Sequence, residues 1–224
     1  MDLAELLDIR PGVTAVIGGG GKTTLLRTLG KELAAGGARV LLCATTKMFP
    51  FGGLPNLTDP AEEVLEEALA TCRLVCAGAP VPGAGKLTAP GIPMARLAAL
   101  ADYVLAEADG AAGRPLKAHA SHEPVIPPEA NQVVCVVGAS GFGKPIESAA
   151  HRPALYARLA ETAQNAPATA ETEAAVLLGE SLHDRVFVNQ IETAEARRRA
   201  SALAALLACP VAAGALLREE FYSC

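Results

Sequence analysis

A run of four glycines lies between an apolar, strand-like segment and a helical pattern in this 224-residue chain. It is followed at once by a lysine and two threonines. Amides of consecutive glycines can converge on an anion, where a helix N-terminus adds its positive dipole end. In such loops the lysine reaches the outer phosphates and the next hydroxyl binds Mg²⁺. We therefore predict a nucleotide phosphate site that consists of Gly18, Gly19, Gly20, Gly21, Lys22, Thr23 and Thr24.

The spacing of this loop departs from the phosphate-loop pattern G-x-x-x-x-G-K-[ST] at one position. Counting back from Gly21, the place of the first glycine is taken by Val16. Either the loop has its full length with a substituted first position, or it is shorter. A four-glycine stretch also suits a tight strand-to-helix turn, but a turn does not require Lys-Thr-Thr directly after it. We assign Lys22 to phosphate binding and catalysis, and the Thr23 hydroxyl to Mg²⁺.

A second glycine motif, Gly138 to Pro145, has the full G-x-x-x-x-G-K spacing and follows another strong apolar run. Its last position is a proline, which offers neither a hydroxyl for magnesium nor a backbone N–H for a phosphate. The proline ring also biases Lys144 away from helical geometry. We expect this segment to be a loop at the carboxyl edge of the sheet, where it can form one wall of the site.

Two acidic residues at the end of a predicted strand offer the second anchor that a magnesium–nucleotide site needs. Mg²⁺ prefers oxygen ligands and keeps several waters, so one carboxylate with Thr23 and phosphate oxygens is enough. We assign Asp109 to the metal. Glu107, two residues earlier, lies on the same side of a continued strand, and we assign it to orienting or deprotonating the attacking water.

Other polar residues follow strands that end at the same sheet edge. Thr45, Thr46 and Lys47 come after the second strand, where two hydroxyls and a cation could sense the γ-phosphate. Threonine also suits β geometry, so a purely structural role stays open for that pair. Asn189 begins the segment Asn-Gln-Ile-Glu, which matches the guanine-binding pattern Asn-Lys-x-Asp only in part. The expected nucleotide is ATP or GTP, with the base left open.

A proline-rich loop after Asp109 concentrates cations and imidazoles beside the proposed magnesium site. His119, His122 and Glu123 carry metal-binding side chains, but no helix fixes their spacing, which argues against a metal there. Contact with an anion or a second substrate fits arginine and lysine better. To that substrate we assign Arg114, Lys117, His122 and, from the next loop, Arg152.

The elements that position these residues follow from alternating apolar runs and Ala/Leu-rich helical stretches. This alternation predicts an α/β fold, a mostly parallel β-sheet with helices on both faces. The expected strands are 13–17, 39–44, 74–76, 103–106, 132–137, 185–189 and an edge strand at 211–213. The expected helices are 23–35, 59–70, 153–163, 171–178 and 193–208. Residues 77–91, dense in glycine and proline, are expected to form a loop in which Lys86 contacts a ligand.

Composition limits the classes of function. Hydrophobic residues make up 51% and charged residues 19% of the chain, which allows a sizeable core and excludes disorder as the main state. The net charge of −5, without a long basic tract, argues against nucleic acid and acidic membranes as partners. No apolar run suits a signal peptide or a membrane span, and the six cysteines form no Cys-x-x-Cys pair. We expect one domain over residues 1–224 in the cytoplasm.

Several short motifs occur together and in a fixed order along nearly the whole chain. They are Gly18 to Thr24, Thr45-Thr46-Lys47, Glu107-Ala108-Asp109-Gly110, Arg114-Pro115-Leu116-Lys117, His122-Glu123-Pro124-Val125-Ile126-Pro127 and His151-Arg152. In this combination the sequence resembles the selenium-dependent hydroxylase accessory proteins, the YqeC-type family. The resemblance implies a P-loop NTPase-like fold and a part in the maturation of selenium-dependent molybdenum hydroxylases, such as xanthine- or nicotinate-oxidising enzymes. The Asn-Gln-Ile-Glu segment departs from the Asn-Lys-x-Asp pattern expected there, which weakens a claim of GTP use.

Motifs and resemblance together predict an Mg²⁺-dependent NTPase whose hydrolysis, or transfer of phosphate to a small acceptor, drives a cofactor-maturation step. The expected partner is a selenium-dependent molybdenum hydroxylase or the machinery that loads its cofactor. Two alternatives stay open. One is a small-molecule kinase or nucleotidyl transferase, and the other is a nucleotide-gated binding module or chaperone with little hydrolysis of its own.

Overall fold

The computed structural model describes residues 2–224, which fold around one large β-sheet. In chain order the elements are α1 (Leu3–Leu6), β1 (Gly12–Gly18), α2 (Lys22–Ala35), β2 (Val40–Ala44), β3 (Asn56–Thr58), α3 (Glu62–Cys72), β4 (Leu74–Val81), β5 (Lys86–Thr88), α4 (Met94–Leu100), β6 (Tyr103–Glu107), β7 (Leu116–Lys117), β8 (Ala130–Gly138), α5 (Ile146–Ala149), β9 (Ala150–His151), α6 (Pro153–Leu159), α7 (Ala170–Glu180), β10 (Arg185–Asn189), α8 (Ala194–Ala204), β11 (Val211–Ala215) and β12 (Glu220–Ser223). A short 3₁₀ helix, Ala139–Gly141, follows β8.

The large sheet has ten strands in the order β12-β11-β10-β8-β1-β6-β2-β4-β3, and β5 pairs with β4. Its pairs are parallel except β4–β5 and β11–β12, which are antiparallel. The carboxyl ends of β1, β6, β8 and β10 therefore meet at one edge, where open α/β sheets bind their ligands. The predicted α/β fold with a mostly parallel sheet is confirmed.

Helices cover both faces of the central strands, which explains why those strands are apolar along their whole length. Val16 of β1 belongs to an apolar cluster that includes Leu25, Leu26 and Leu29 of α2. Ile17, the next residue, faces the other way and packs in the cluster that includes Leu177 of α7. Neighbouring side chains of a strand point to opposite faces, so the two clusters lie on opposite sides of the sheet.

Two helices near the site begin at sequence features that fix their positions. α2 starts directly after the glycine run, and α7 starts at a capping box in which Thr169 and Thr172 exchange hydrogen bonds. This start sets which residues of α7 face the sheet. Within residues 2–224, no helix combines the length and the apolar character needed to cross a membrane.

Two of the differences between the structure and the sequence-based prediction concern residues 77–91 and the edge of the sheet. Residues 77–91 were expected to form a loop, but β4 continues to Val81 and returns antiparallel as β5. Gly83 and Gly85, with φ of +68° and +60°, provide the turn, so the glycine density marks a hairpin instead of a long loop. The strand near residue 211 was expected at the sheet edge, but β12 pairs beside β11 and takes that place.

Candidate functional site

The connection between β1 and α2 is short. β1 continues to Gly18 and α2 begins at Lys22, so three residues join them. Val16, at the first position of the longer pattern, is a buried strand residue paired with Glu107 of β6 and Val134 of β8. Of the two loop lengths that the sequence left open, the structure therefore has the shorter. The chain turns sharply here, with φ of +94° at Gly18, +73° at Gly20 and +124° at Gly21.

The first three glycines are packed against neighbouring backbone. The amide of Gly18 donates to Asp109 Oδ2 at 2.9 Å, that of Gly19 to the Val136 carbonyl at 2.9 Å, and that of Gly20 to the Arg114 carbonyl at 3.1 Å. A Cβ atom on Gly19 would lie 2.6 Å from the Pro115 carbonyl oxygen. The prediction that all four glycine amides face an anion needs correction, because these three already have acceptors and serve close packing.

The amides that remain available for an anion are the next four, from Gly21 to Thr24. None of these has an acceptor among residues 2–224. They are the unsatisfied N–H groups at the beginning of α2, where the helix dipole favours negative charge. The Thr23 side chain beside them is exposed. The predicted phosphate site therefore narrows to this helix start, and its occupation by phosphate stays a prediction.

Lys22 does not point outward in this structure. Its Nζ atom donates to the Gly18 carbonyl at 2.7 Å and lies 3.0 Å from Asp109 Oδ1. The side chain is 5% exposed. A phosphate at the start of α2 must therefore compete with Asp109 for the lysine.

Asp109 lies at the centre of a buried ion network. Its Oδ2 atom is 3.0 Å from Lys117 Nζ and 2.7 Å from His119 Nε2, in addition to the contact with the Gly18 amide. Burial alone would raise the pKa of Asp109, but the His119 hydrogen bond and the charges of Lys22 and Lys117 hold that pKa well below its usual range. The carboxylate assigned to magnesium is thus occupied by side-chain cations.

Glu107 is the carboxylate that contacts the Thr23 hydroxyl. Thr23 Oγ1 donates to Glu107 Oε2 at 2.9 Å. Burial raises the pKa of Glu107, while the Lys22 charge and the Thr23 hydrogen bond oppose that rise. The sequence assigned the metal to Asp109 and the water to Glu107, whereas the contacts place Glu107 beside the hydroxyl predicted to hold Mg²⁺.

His119 and α7 complete the network in a way that the sequence did not reveal. His119 Nδ1 lies 2.6 Å from Glu180 Oε2, and its other ring nitrogen faces Asp109. Both ring nitrogens thus face carboxylate oxygens, an arrangement that favours the imidazolium form, in which both nitrogens donate. Burial would lower the pKa of His119, but the two carboxylates raise it. Since Glu180 lies far along the chain, no local motif could have identified it.

The loop residues assigned to a second substrate lie in different environments. Lys117 is buried, with the Gly110 carbonyl, Asp109 and Glu123 as acceptors, and is therefore not available to a substrate, contrary to the prediction. Arg114 is exposed and donates to the Ser148 carbonyl. Arg152 Nε donates to Glu123 at 2.7 Å.

His122 Nε2 lies 3.2 Å from Arg152 Nη2, at the exposed end of this network. The contact brings two of the residues assigned to a second substrate together. The alternative of a histidine metal site finds no support in the geometry. No group of three or more His, Cys, Asp or Glu side chains suited to a metal ion occurs within residues 2–224.

The remaining predicted residues lie around the loop. The Thr45 amide donates to the Glu107 carbonyl at 3.0 Å, and its hydroxyl donates to the Val125 carbonyl at 2.7 Å. Lys47 is exposed, whereas the Thr46 hydroxyl is buried without a partner among residues 2–224. Through its two hydrogen bonds, Thr45 connects the end of β2 to Glu107 and Val125.

Asn189 does not present its amide to a base. Its Nδ2 atom donates to the Gly20 carbonyl at 2.7 Å, and its Oδ1 atom accepts from the Leu216 amide at 3.1 Å. Both ends of the side chain thus hold the glycine loop to the end of β11. Asn189 was assigned to the nucleotide, but its contacts in this structure position the loop.

Comparison with known proteins identifies the family of this chain. The model of a family described as "YqeC protein" matches residues 14–154, from β1 to the start of α6. The chain belongs to the YqeC family. A YqeC relative from Escherichia coli (strain K12), named "Uncharacterized protein YqeC", is 38% identical over 148 residues, which is 62% of this chain and 56% of that protein. The aligned part thus spans little more than half the length of the curated relative.

Proposed function

We propose that this YqeC-family chain binds an Mg²⁺–nucleotide, ATP or GTP, and hydrolyses it. The observation that carries the proposal is the start of α2, where four amides without acceptors adjoin the contact between Thr23 and Glu107. Amides at a helix N-terminus bind phosphate groups in many nucleotide sites. A strand, a glycine turn, Lys22 and Thr23 stand in the order that such a site requires.

The chain offers a fitting place for the metal. Thr23 and Glu107 provide two oxygen ligands at the carboxyl edge of the sheet, and Mg²⁺ commonly completes its shell with phosphate oxygens and waters. When bound there, the ion would neutralise charge that develops on the phosphoryl oxygens. Lys22 would turn from Asp109 to the phosphate. Asp109 would keep Lys117 and His119 as partners, so this movement leaves no buried charge unpaired.

Space for the nucleoside exists next to these groups. A cavity of about 470 Å³ begins at Thr24 and follows α2 past Arg27 and Lys31. Its other wall includes Leu216 and Phe221. Apolar side chains suit the faces of a base. The lining also carries three carboxyl groups, of Asp2, Glu32 and Glu219, which offset the charges of the two cations. The cavity supports a nucleotide that extends from the α2 start toward the end of β11.

The resemblance to selenium-dependent hydroxylase accessory proteins supports the biological part of the proposal. Nucleotide hydrolysis by this chain would drive a step in the maturation of a selenium-dependent molybdenum hydroxylase. The partner would be the hydroxylase or its cofactor-loading machinery in the cytoplasm. The net charge of −5 suits neither nucleic acid nor an acidic membrane as an alternative partner.

One observation favours a second candidate function, a nucleotide-gated binding module with little turnover of its own. Lys22 is paired with Asp109 instead of facing the open helix start. A lysine held in this way must exchange partners before it can act on a phosphate. A partner protein that moves the Asp109 network would then control hydrolysis.

Product analysis with radiolabelled ATP and GTP in the presence of Mg²⁺ tests the proposed function. We expect release of inorganic phosphate that depends on Mg²⁺ and falls by about tenfold or more in Thr23→Ala and Glu107→Gln. Thr71→Ala, an exposed threonine on α3, is the matched control and should leave the rate unchanged. Transfer of label to a small molecule would identify a kinase or nucleotidyl transferase. Tight nucleotide binding without release of phosphate would favour the binding module. If no nucleotide binds, both the proposed hydrolysis and the binding module are contradicted.

A further inference from the structure

A second cavity, of about 620 Å³, is lined in part by His119, whose Nε2 atom lies 2.7 Å from Asp109 Oδ2. Its volume falls in the range of small-molecule sites, about 300–1,000 Å³. The wall is formed by His119, Ala120, Ser121, Arg152, Pro153, Ala154, Leu155 and Arg158. Three of these side chains are basic and none is a carboxylate. A lining of this composition selects for negative charge.

The three basic side chains differ in whether a carboxylate of the protein already pairs with them. His119 lies between Asp109 and Glu180, and both of its ring nitrogens are engaged. Arg152 uses its Nε atom for Glu123, and its Nη2 atom lies 3.2 Å from His122 Nε2, so only part of its guanidinium is left for other contacts. Arg158 forms no ion pair with any residue in 2–224 and is exposed. Arg158, with the remaining donors of Arg152, is therefore the group that lacks an anion.

The rest of the lining is apolar. Pro153, Ala154 and Leu155 are consecutive apolar residues of the lining, and Ala120 adds a fourth. These surfaces favour a hydrocarbon or aromatic body over a free inorganic ion, because burying apolar area is favourable in itself. The Ser121 hydroxyl adds one neutral hydrogen-bonding group to the wall.

We propose that this cavity binds a small organic anion, in which a carboxylate or phosphate group is carried on an apolar body. Arg158 and Arg152 bind the charged group, and Leu155 with its apolar neighbours binds the body. The proposal goes beyond nucleotide hydrolysis and does not depend on it. The cavity nevertheless adjoins the phosphate loop, since His119 in its wall and Lys22 in the loop share the carboxylate of Asp109.

Titration of the full chain with benzoate and with phenyl phosphate, followed by calorimetry, tests the proposal. We expect saturable binding of at least one probe, and the stronger of the two shows whether carboxylate or phosphate is preferred. Neutral benzamide should not bind. Arg158→Gln should weaken binding by about tenfold, the effect of losing one charge-assisted contact. Arg198→Gln, an exposed arginine on α8, is the matched control and should bind as the wild type does.

Failure to bind either anion, or equal affinity in the wild type and Arg158→Gln, would overturn the proposal. Thermal denaturation of Arg158→Gln checks that the variant folds, as its exposed side chain leads us to expect. Lys22→Ala separates this site from the phosphate loop. Binding of the probe that persists in Lys22→Ala supports the cavity, even where nucleotide binding fails. Binding that is lost in Lys22→Ala but kept in Arg158→Gln would place the anion at the loop and overturn the proposal.

Discussion

Asp109 forms more ion pairs than any other residue of the candidate site. Lys22, Lys117 and His119 each lie within 3.0 Å of its oxygen atoms, and the carboxylate itself is fully buried. A buried ion is stable only while its partners remain, because an unpaired charge loses its hydration without compensation. Removing this single carboxylate would leave three cations without their shared partner.

Replacing Asp109 by asparagine keeps the shape of the side chain and removes its charge. We expect the free energy of unfolding to fall by about 3 kcal/mol, as for other broken buried ion pairs. Urea denaturation at neutral pH measures it. Glu62→Gln is the matched control, since its partner Arg96 is 57% exposed and such pairs contribute less than about 1 kcal/mol. An equal decrease in the free energy of unfolding of Asp109→Asn and Glu62→Gln would contradict the claim that the Asp109 ion network stabilises the fold.

The sequence singled out Lys22, Glu107 and Asp109 as candidate site residues, because charged groups close to the ends of apolar strands are easy to recognise. It could not show how they pair. Pairing depends on the register of β1 and β6 and on side-chain directions, and only the folded chain fixes these. Glu180 was missed for the same reason, because its contact with His119 joins α7 to a distant loop.

At the scale of elements, the glycine turn between β1 and α2 combines close backbone packing with a row of amides that have no acceptor. Gly19 and Gly20 pack on the backbone around Pro115 and Gly138, where a Cβ on Gly20 would lie 2.4 Å from Gly138 Cα. Gly21 begins the row of amides without acceptors. The glycine run predicted the location of the loop, but not which amides would be engaged, because their acceptors lie on other segments.

α7 carries a carboxyl group whose ionisation is opposed by the core. Burial raises the pKa of Glu173 to about 7, while a 2.8 Å hydrogen bond from Tyr156 Oη opposes the rise. The folded protein therefore holds this proton more tightly than the unfolded chain does. Its contribution to stability is complete below about pH 4.5 and is lost as pH rises through about 7.

Between about pH 5 and pH 8, the free energy of unfolding of the wild type should fall by up to about 3 kcal/mol more than that of Glu173→Gln. The glutamine cannot ionise, and it keeps an acceptor for Tyr156. Urea denaturation across this range measures the difference. Glu171→Gln, exposed on the same helix, should follow the wild type. Identical pH profiles of the wild type and Glu173→Gln would show that Glu173 does not titrate in this range.

Long apolar strands and helices were predictable, since their periodicity reflects which faces are buried. β10 matches its predicted bounds, 185–189, and β1 differs by one residue at each end. Short elements such as β3, β7 and β12 were not predicted. Each has two to four residues, too few for a recognisable period, and each is held in place by a neighbouring strand.

At the scale of the whole molecule, the order of strands assembles a site from distant parts of the chain. The family match covers residues 14–154, which include the glycine loop, β6 and the loop of Lys117. Glu180, Asn189 and Leu216 lie beyond that range, yet they brace His119 and the glycine loop. The C-terminal third of the chain therefore supports a site whose chemical groups lie mainly within the matched range.

Calorimetric titration of ATP and GTP with Mg²⁺ tests the central claim, a nucleotide phosphate site at the start of α2, most directly. The wild type should bind at least one nucleotide. Lys22→Ala should bind it about 10- to 100-fold more weakly, as expected for loss of a charge-assisted contact. Lys144→Ala, the lysine of the second glycine motif, is the matched control and should bind like the wild type. Equal affinity in the wild type and Lys22→Ala, or no binding by the wild type, would contradict the claim.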